Sequence, residues 1–320
     1  EQSPEILIDD LVFGPGDFLV ANSSSMAILK EGMAIEFGQT GGTYSSQPVN
    51  APHQFNILIP QWMVDEPENT GFHLELRTGN DPSRLGEWID IHASMDWTLP
   101  EDDDVIGEML IVPALDTTHK FVQFRISLSR ADSLSGPLLR ELKLTFIDST
   151  SGPSAEEMVL LQEEIDRNSA QAQNISNEES DKYPKPTVIS REVWCDSPGC
   201  DYTDGLSYHP VTHLILHHTA GTNGDSAAIV RGIWKYHTSS RGWRDIGYNY
   251  LVGTEGVIYE GHLGGDDVVG IHASGANAGS MALAMIGTYT ELEPPDPMFE
   301  SAVDLFSWKA DQKDIDVFDA

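Results

Sequence analysis

The sequence predicts a multidomain protein, an all-β sandwich of jelly-roll-like character followed by an α/β domain. Three observations carry that reading. The chain has 320 residues, about two domains' worth. Up to about residue 150, apolar residues recur at every second position. From about residue 189, short apolar strands alternate with stripes at helical spacing.

In the first part, Phe72, Leu74 and Leu76 alternate with His73, Glu75 and Arg77. Val122, Phe124, Ile126 and Leu128 alternate with Gln123, Arg125 and Ser127, and Leu142, Leu144 and Phe146 alternate with Lys143 and Thr145. A period of two puts one face of each strand in a core and the other in water. Gly41-Gly42, Gly79-Asn80-Asp81-Pro82 and Ser135-Gly136-Pro137 supply the turns. Many short strands with no helix between them predict a sandwich over residues 1–150.

Residues 151–188 read as a linker. Ser154 and Glu157 have the spacing of a capping box, and Met158, Leu161 and Ile165 follow at helical spacing. The helix is expected to fade at Asn168-Ser169-Ala170-Gln171, before a stiff polar stretch ending in Tyr183-Pro184-Lys185-Pro186. In residues 189–320, Leu214 to Leu216, Tyr248 to Val252, Val257 to Tyr259 and Ala282 to Ile286 read as strands. Ile229, Val230, Ile233 and Trp234 mark one helix, and Phe299, Ala302, Val303 and Phe306 a last one after Pro294-Pro295.

Composition removes several functions. Hydrophobic residues make up 40%, enough for a packed core, so a wholly disordered chain is excluded. The formal net charge is −33. A nucleic acid needs cationic contacts that release its counterions, so no nucleic-acid partner is expected, and docking on an anionic membrane is disfavoured for the same reason. No apolar run approaches the ~20 residues of a membrane span. Asp102-Asp103-Asp104 reads as an exposed acidic loop, with Ca²⁺ ligation as the alternative. Cys195 and Cys200 are the two cysteines. One C-x4-C pair is a poor zinc knuckle, so a local disulfide in an oxidising compartment is preferred over two free thiols.

Seven of the eleven histidines fall between residues 208 and 272. The densest cluster, His217-His218-Thr219-Ala220-Gly221, follows a strand, where an imidazole is held rigidly. Neighbours on a strand point to opposite faces, so one histidine can serve a site while the other packs. Tyr236-His237 ends the predicted helix. Arg241-Gly242-Trp243-Arg244-Asp245-Ile246-Gly247-Tyr248, then Val269-Gly270-Ile271-His272-Ala273 with Asn277, then Ile286-Gly287-Thr288-Tyr289, complete an ordered series.

This series resembles the peptidoglycan recognition proteins and the related zinc-dependent N-acetylmuramoyl-L-alanine amidases, from Ser190-Arg191-Glu192-Val193-Trp194 onward. The resemblance implies a mixed central sheet flanked by helices with a peptidoglycan groove. It also implies hydrolysis of the amide between N-acetylmuramic acid and the L-Ala of the stem peptide. By the same resemblance His217 is a Zn²⁺ ligand and Tyr248 assists catalysis. His237, Arg241, His272 and Asn277 match groove positions that contact glycan or peptide, with Trp243 and Thr219 beside them, and His262 stands at the rim. Zinc would activate water and polarise the scissile carbonyl. Tyr248 could donate to the oxyanion, and Arg241 could hold a stem-peptide carboxylate.

The series also departs from the family. The relatives' later zinc ligands lie in Gly-His-Arg-Asp and Cys-Pro-Gly motifs, and neither motif occurs here. The zinc site is therefore expected to be incomplete in this chain. The expectation is either a fragment of a longer amidase or a domain that only binds. A missing strand would leave an open sheet edge, prone to aggregation. Residues 1–150 resemble β-sandwich modules appended to bacterial envelope hydrolases, which implies a wall- or glycan-binding module or a spacer. The whole is expected to be a secreted or envelope-facing bacterial protein.

Overall fold

A computed structural model describes residues 5–18, 23–94, 104–113, 118–132, 135–172, 182–195, 199–202 and 204–317. Asp102 and Asp103 of the acidic run lie outside them. The chain divides into two compact units, Leu7–Asp148 and the part from Ser149 onward.

The first unit is built from two antiparallel sheets. One centres on Ile57–Asp65 and Leu138–Asp148, the other on Thr70–Gly79 and His119–Arg130. The alternation read from the sequence sets the register. Leu76 stands opposite Phe124 and Leu74 opposite Ile126, and all four belong to the core with Leu142, Leu144 and Phe146 of the other sheet. Thr145 departs from the expected wet face. It is fully buried because the Leu7–Phe13 strand lies alongside, and its hydroxyl donates to Asp10 at 2.7 Å. On the outer face, Arg77 donates twice to Gln123, Arg125 pairs with Glu75, and both guanidiniums lie against Trp88 at 4.4 and 4.5 Å.

The second unit opens with α1, Ala155–Ala172. Its capping box is formed: the Ser154 N–H donates to Glu157 at 2.8 Å, and the Glu157 N–H donates back to the Ser154 hydroxyl at 3.3 Å. The helix does not fade at Asn168 but runs to Ala172, because nothing in Asn168-Ser169-Ala170-Gln171 breaks a helix as proline would. The short α2 is Arg191–Trp194.

The sheet of this unit is mixed, in the strand order Val188–Ile189, Ile258–Glu260, Tyr250–Val252, Ser280–Met285 and His213–His218. Only the Tyr250–Val252 and Ile258–Glu260 pair is antiparallel. Helix α3, Ser226–Ser239, is capped by Asp225, which accepts from the Ala227 N–H, and it buries Ile229, Val230, Ile233 and Trp234. Helix α4, Asp296–Lys313, packs Met298, Ala302, Leu305 and Trp308 on the sheet and ends at Asp314 in the left-handed region. Among the described residues, His213–His218 is an edge strand, and Leu216 on it is 51% exposed.

Candidate functional site

The site forms where the parallel His213–His218 and Ser280–Met285 strands end, with His217 opposite Ala284 and His218 opposite Met285. Directly afterwards the chain turns away through Ala220, whose φ of +52° is uncommon for a residue with a Cβ. Hydrogen bonds from the Thr219 N–H to the Met285 carbonyl and from the Gly221 N–H to the Thr288 hydroxyl hold that turn. The two histidines diverge as strand geometry requires. His218 accepts the Tyr289 N–H at 3.0 Å, whereas the His217 ring lies 5.3 Å from Tyr248 and 5.2 Å from His272.

The end of α3 delivers His237, 1% exposed, against Trp243 at 4.6 Å and Tyr248 at 6.2 Å. Its Nδ1 accepts the Gly247 N–H at 3.3 Å. Burial, reinforced by the charge of Arg241, pushes its pKa down to about 3, so the ring is neutral. His237 is thus packed against Tyr248 and Trp243. Arg241 is half-buried, with its guanidinium 5.6 Å from the Trp243 ring.

Two loops converge on Tyr248, and glycine permits it. A Cβ on Gly247 would stand 2.5 Å from the Ile271 carbonyl oxygen, and one on Gly270 2.5 Å from the Gly247 carbonyl oxygen. The Ile271 N–H donates to Gly247 at 2.7 Å across this gap. His272 follows directly and its Nδ1 lies 3.1 Å from Nε2 of His217. Burial, with smaller contributions from His217 and His262, pushes the His272 pKa down to about 4. Asn277 stands behind it. Its side-chain oxygen takes the N–H groups of both His272 and Ala273 at 2.8 Å, so Asn277 braces the loop.

Several residues have roles that the sequence pattern did not reveal. Asp245 is fully buried and binds Arg191 at 2.5 Å, the Tyr202 hydroxyl at 2.9 Å and the Leu263 N–H at 2.8 Å. It ties α2 and the Tyr202 segment to the loop carrying Tyr248. Asn249, buried, donates to the Val268 carbonyl and accepts from the Ala282 N–H. A polar residue inside the apolar Tyr248 to Val252 run was the available signal. His262 is corrected from rim to interior: it is 6% exposed and bonds the Ile246 carbonyl at 2.8 Å. Thr219 is fully buried and accepts the Gly287 N–H. Cys195 and Cys200 are joined by a disulfide with a Cα–Cα distance of 6.0 Å.

A catalytic zinc takes three protein ligands and an open position. Among the described residues, no group of three or more His, Cys, Asp or Glu is arranged to hold a metal ion. Both cysteines are bonded to each other, His218 accepts from Tyr289, and Nε2 of His217 faces His272. The described residues do not fit a three-ligand zinc centre, and nothing below is routed through one.

Residues 207–319 match the family described as N-acetylmuramoyl-L-alanine amidase. Peptidoglycan-recognition protein SC1a of Drosophila melanogaster is 37% identical over 113 residues, 33% of this chain and 59% of that protein. Residues 207–319 thus carry a domain of the amidase family, similar to the peptidoglycan recognition proteins. Human peptidoglycan recognition protein 3 is 34% identical over 125 residues, 38% of this chain and 35% of that one. The chain spans a little over half the length, 56% and 59%, of two of the fly relatives that it matches. The solved bumblebee peptidoglycan recognition protein SA is 30% identical, with 41% of this chain and 78% of that chain covered at a TM-score of 0.37. No described helix is long and apolar enough to cross a membrane.

Proposed function

We propose that the second unit recognises peptidoglycan. One observation carries the reading: the rings of Tyr248 and His272 both lie against His217, His237 links Tyr248 to Trp243, and Arg241 stacks on Trp243 at the margin. Arg241 would hold a carboxylate of the stem peptide in a charge-assisted pair, and Trp243 would offer a ring face to the sugar or lactyl group. The net charge of −33 makes a selective anion contact depend on a locally placed arginine rather than on the overall field. The fold of the first unit is read as a β-sandwich that binds wall glycan or spaces the second unit from the wall. The disulfide fits a secreted or envelope location.

Hydrolysis of the muramoyl–L-Ala amide is the second reading, favoured by the approach of His217 to Tyr248 at 5.3 Å. It needs metal ligands beyond those that the described residues arrange. Incubating the chain with purified sacculi, with added zinc or with chelator, tests both. The expected result is co-sedimentation in both conditions, weakened by Arg241→Ala, with no stem peptide released by mass spectrometry. Zinc-dependent release of stem peptide would replace recognition with catalysis.

A further inference from the structure

The outer face of the Thr70–Gly79 and His119–Arg130 sheet in the first unit carries an ordered polar array. Pairing sets Arg77 opposite Gln123 and Glu75 opposite Arg125, while Leu74, Leu76, Phe124 and Ile126 turn to the core. On the other flank Glu75 stands opposite Asp90 and Leu76 opposite Ile89, so Trp88 comes next in line beside Arg77 on the same outer face. Each guanidinium is fixed by the same edge. Nε and Nη2 of Arg77 donate to the Gln123 side-chain oxygen at 2.9 and 2.7 Å, and Nε and Nη2 of Arg125 donate to the Glu75 carboxylate. Gln123 is itself anchored, its amide donating to the Ser46 carbonyl at 2.6 Å. Both guanidiniums lie against the half-buried Trp88 ring, at 4.4 and 4.5 Å.

Two features of this array select a ligand. The first is a surplus of donors. The Gln123 oxygen and the Glu75 carboxylate are already taken, whereas Nη1 of Arg77, Nη1 of Arg125 and Nε1 of Trp88 have no hydrogen-bond partner among the described residues. The Arg125 side chain is 35% exposed, so a ligand can reach these donors. The second is local charge balance. Glu75 and Asp90 match the two arginines, in a chain whose net charge is −33. A balanced face on a strongly acidic chain suits a neutral partner rather than a polyanion. The strongest neutral acceptor that a sugar carries is the carbonyl oxygen of an acetamido group. We propose that this face binds a glycan of N-acetylated sugars, with Arg77 and Arg125 donating through Nη1 to acetamido oxygens and Trp88 giving apolar indole surface to the pyranose C–H groups. The array is fixed before the ligand arrives, which lowers the ordering cost of binding. The inference rests on reading the first unit as a glycan-binding module and is independent of stem-peptide recognition by the second unit.

The test is retention of the full chain on three insoluble polymers. Chitin carries acetamido groups and no stem peptide, cellulose has the same backbone without acetamido groups, and purified sacculi carry both acetamido groups and stem peptides. The expected result is retention on chitin and on sacculi but not on cellulose. Trp88→Ala and, separately, Arg77→Met should each weaken retention on chitin about tenfold. Arg77→Met keeps the aliphatic stem, and Gln123 stays anchored to Ser46, so a near-native thermal midpoint is expected and the loss reads binding rather than unfolding. Equal retention on chitin and cellulose, no retention on chitin, or retention on chitin unmoved in both variants would overturn the proposal. Retention on chitin without retention on sacculi would uphold the acetamido contact and place its source outside the bacterial wall. Sacculus binding unmoved by Arg241→Ala, with retention on chitin intact, would count against the reading of the second unit alone.

Discussion

Replacing Asp245 with asparagine should be among the most damaging single changes in the second unit. The carboxylate is fully buried and its partner Arg191 has a side chain only 3% exposed. Asparagine keeps the shape and can still accept from the Ile246 or Leu263 N–H, but it leaves the guanidinium charge buried without a counter-charge. Breaking one side of a buried pair costs about 3–5 kcal/mol, because the surviving charge cannot regain its hydration. For a unit of this size each kcal/mol moves the thermal midpoint by about 2–4 °C, so a fall of roughly 6–20 °C is expected. Arg191 also stacks on Trp194 at 4.5 Å, so the fluorescence of that indole should report the change. The double variant Arg191→Met with Asp245→Leu removes both charges and should recover much of the loss. A shift below about 2 °C in Asp245→Asn would refute the reasoning, since it would mean that water reaches Arg191 and the pair is not desolvated.

Other consequences follow from the same geometry. His237 is held neutral, with its pKa near 3 against about 6.5 unfolded, so its contribution to stability is full above pH 6.5. That contribution is lost as pH falls toward 3, by about 1.4 kcal/mol per pH unit, and His237→Gln should flatten the slope in a pH series of denaturant midpoints. Gly247→Ala should cost about 1–3 kcal/mol and displace Tyr248, because the new Cβ meets the Ile271 carbonyl at 2.5 Å; reduced sacculus binding together with a lower midpoint would register it. Ser154→Ala should lower helix stability by about 1 kcal/mol through loss of the capping box, and a chemical denaturation curve measures it. Leu216→Lys on the edge strand should reduce self-association in sedimentation velocity, since an edge lysine disfavours strand pairing.

Much of the fold was legible because it obeys short-range rules. The alternation from Val122 to Leu128, and the pair Leu74 and Leu76, named the core of the first unit, and the Ile229, Val230, Ile233 and Trp234 stripe named the buried face of α3. The end of α1 was not legible, because Asn168-Ser169 weakens a helix without stopping it. The site was legible as a set of residues: His217, His237, Trp243, Tyr248 and His272 do meet. Their individual duties were not legible, since burial and hydrogen-bond direction depend on what the other loops bring.

The sequence by itself determined the strand and helix periodicities, the strong acidity, and the ordered motifs by which the second unit resembles the peptidoglycan recognition proteins. Those properties are written in composition and spacing, which need no knowledge of distant neighbours. Tertiary structure alone decided that Asn277 braces a loop, that His262 and His237 are interior, and that Asp245 anchors α2. It also decided that the described residues hold no three-ligand metal set. A side chain's pKa, tautomer and access to ligand are set by the atoms within a few ångströms of it, and here those atoms come from segments tens of residues away.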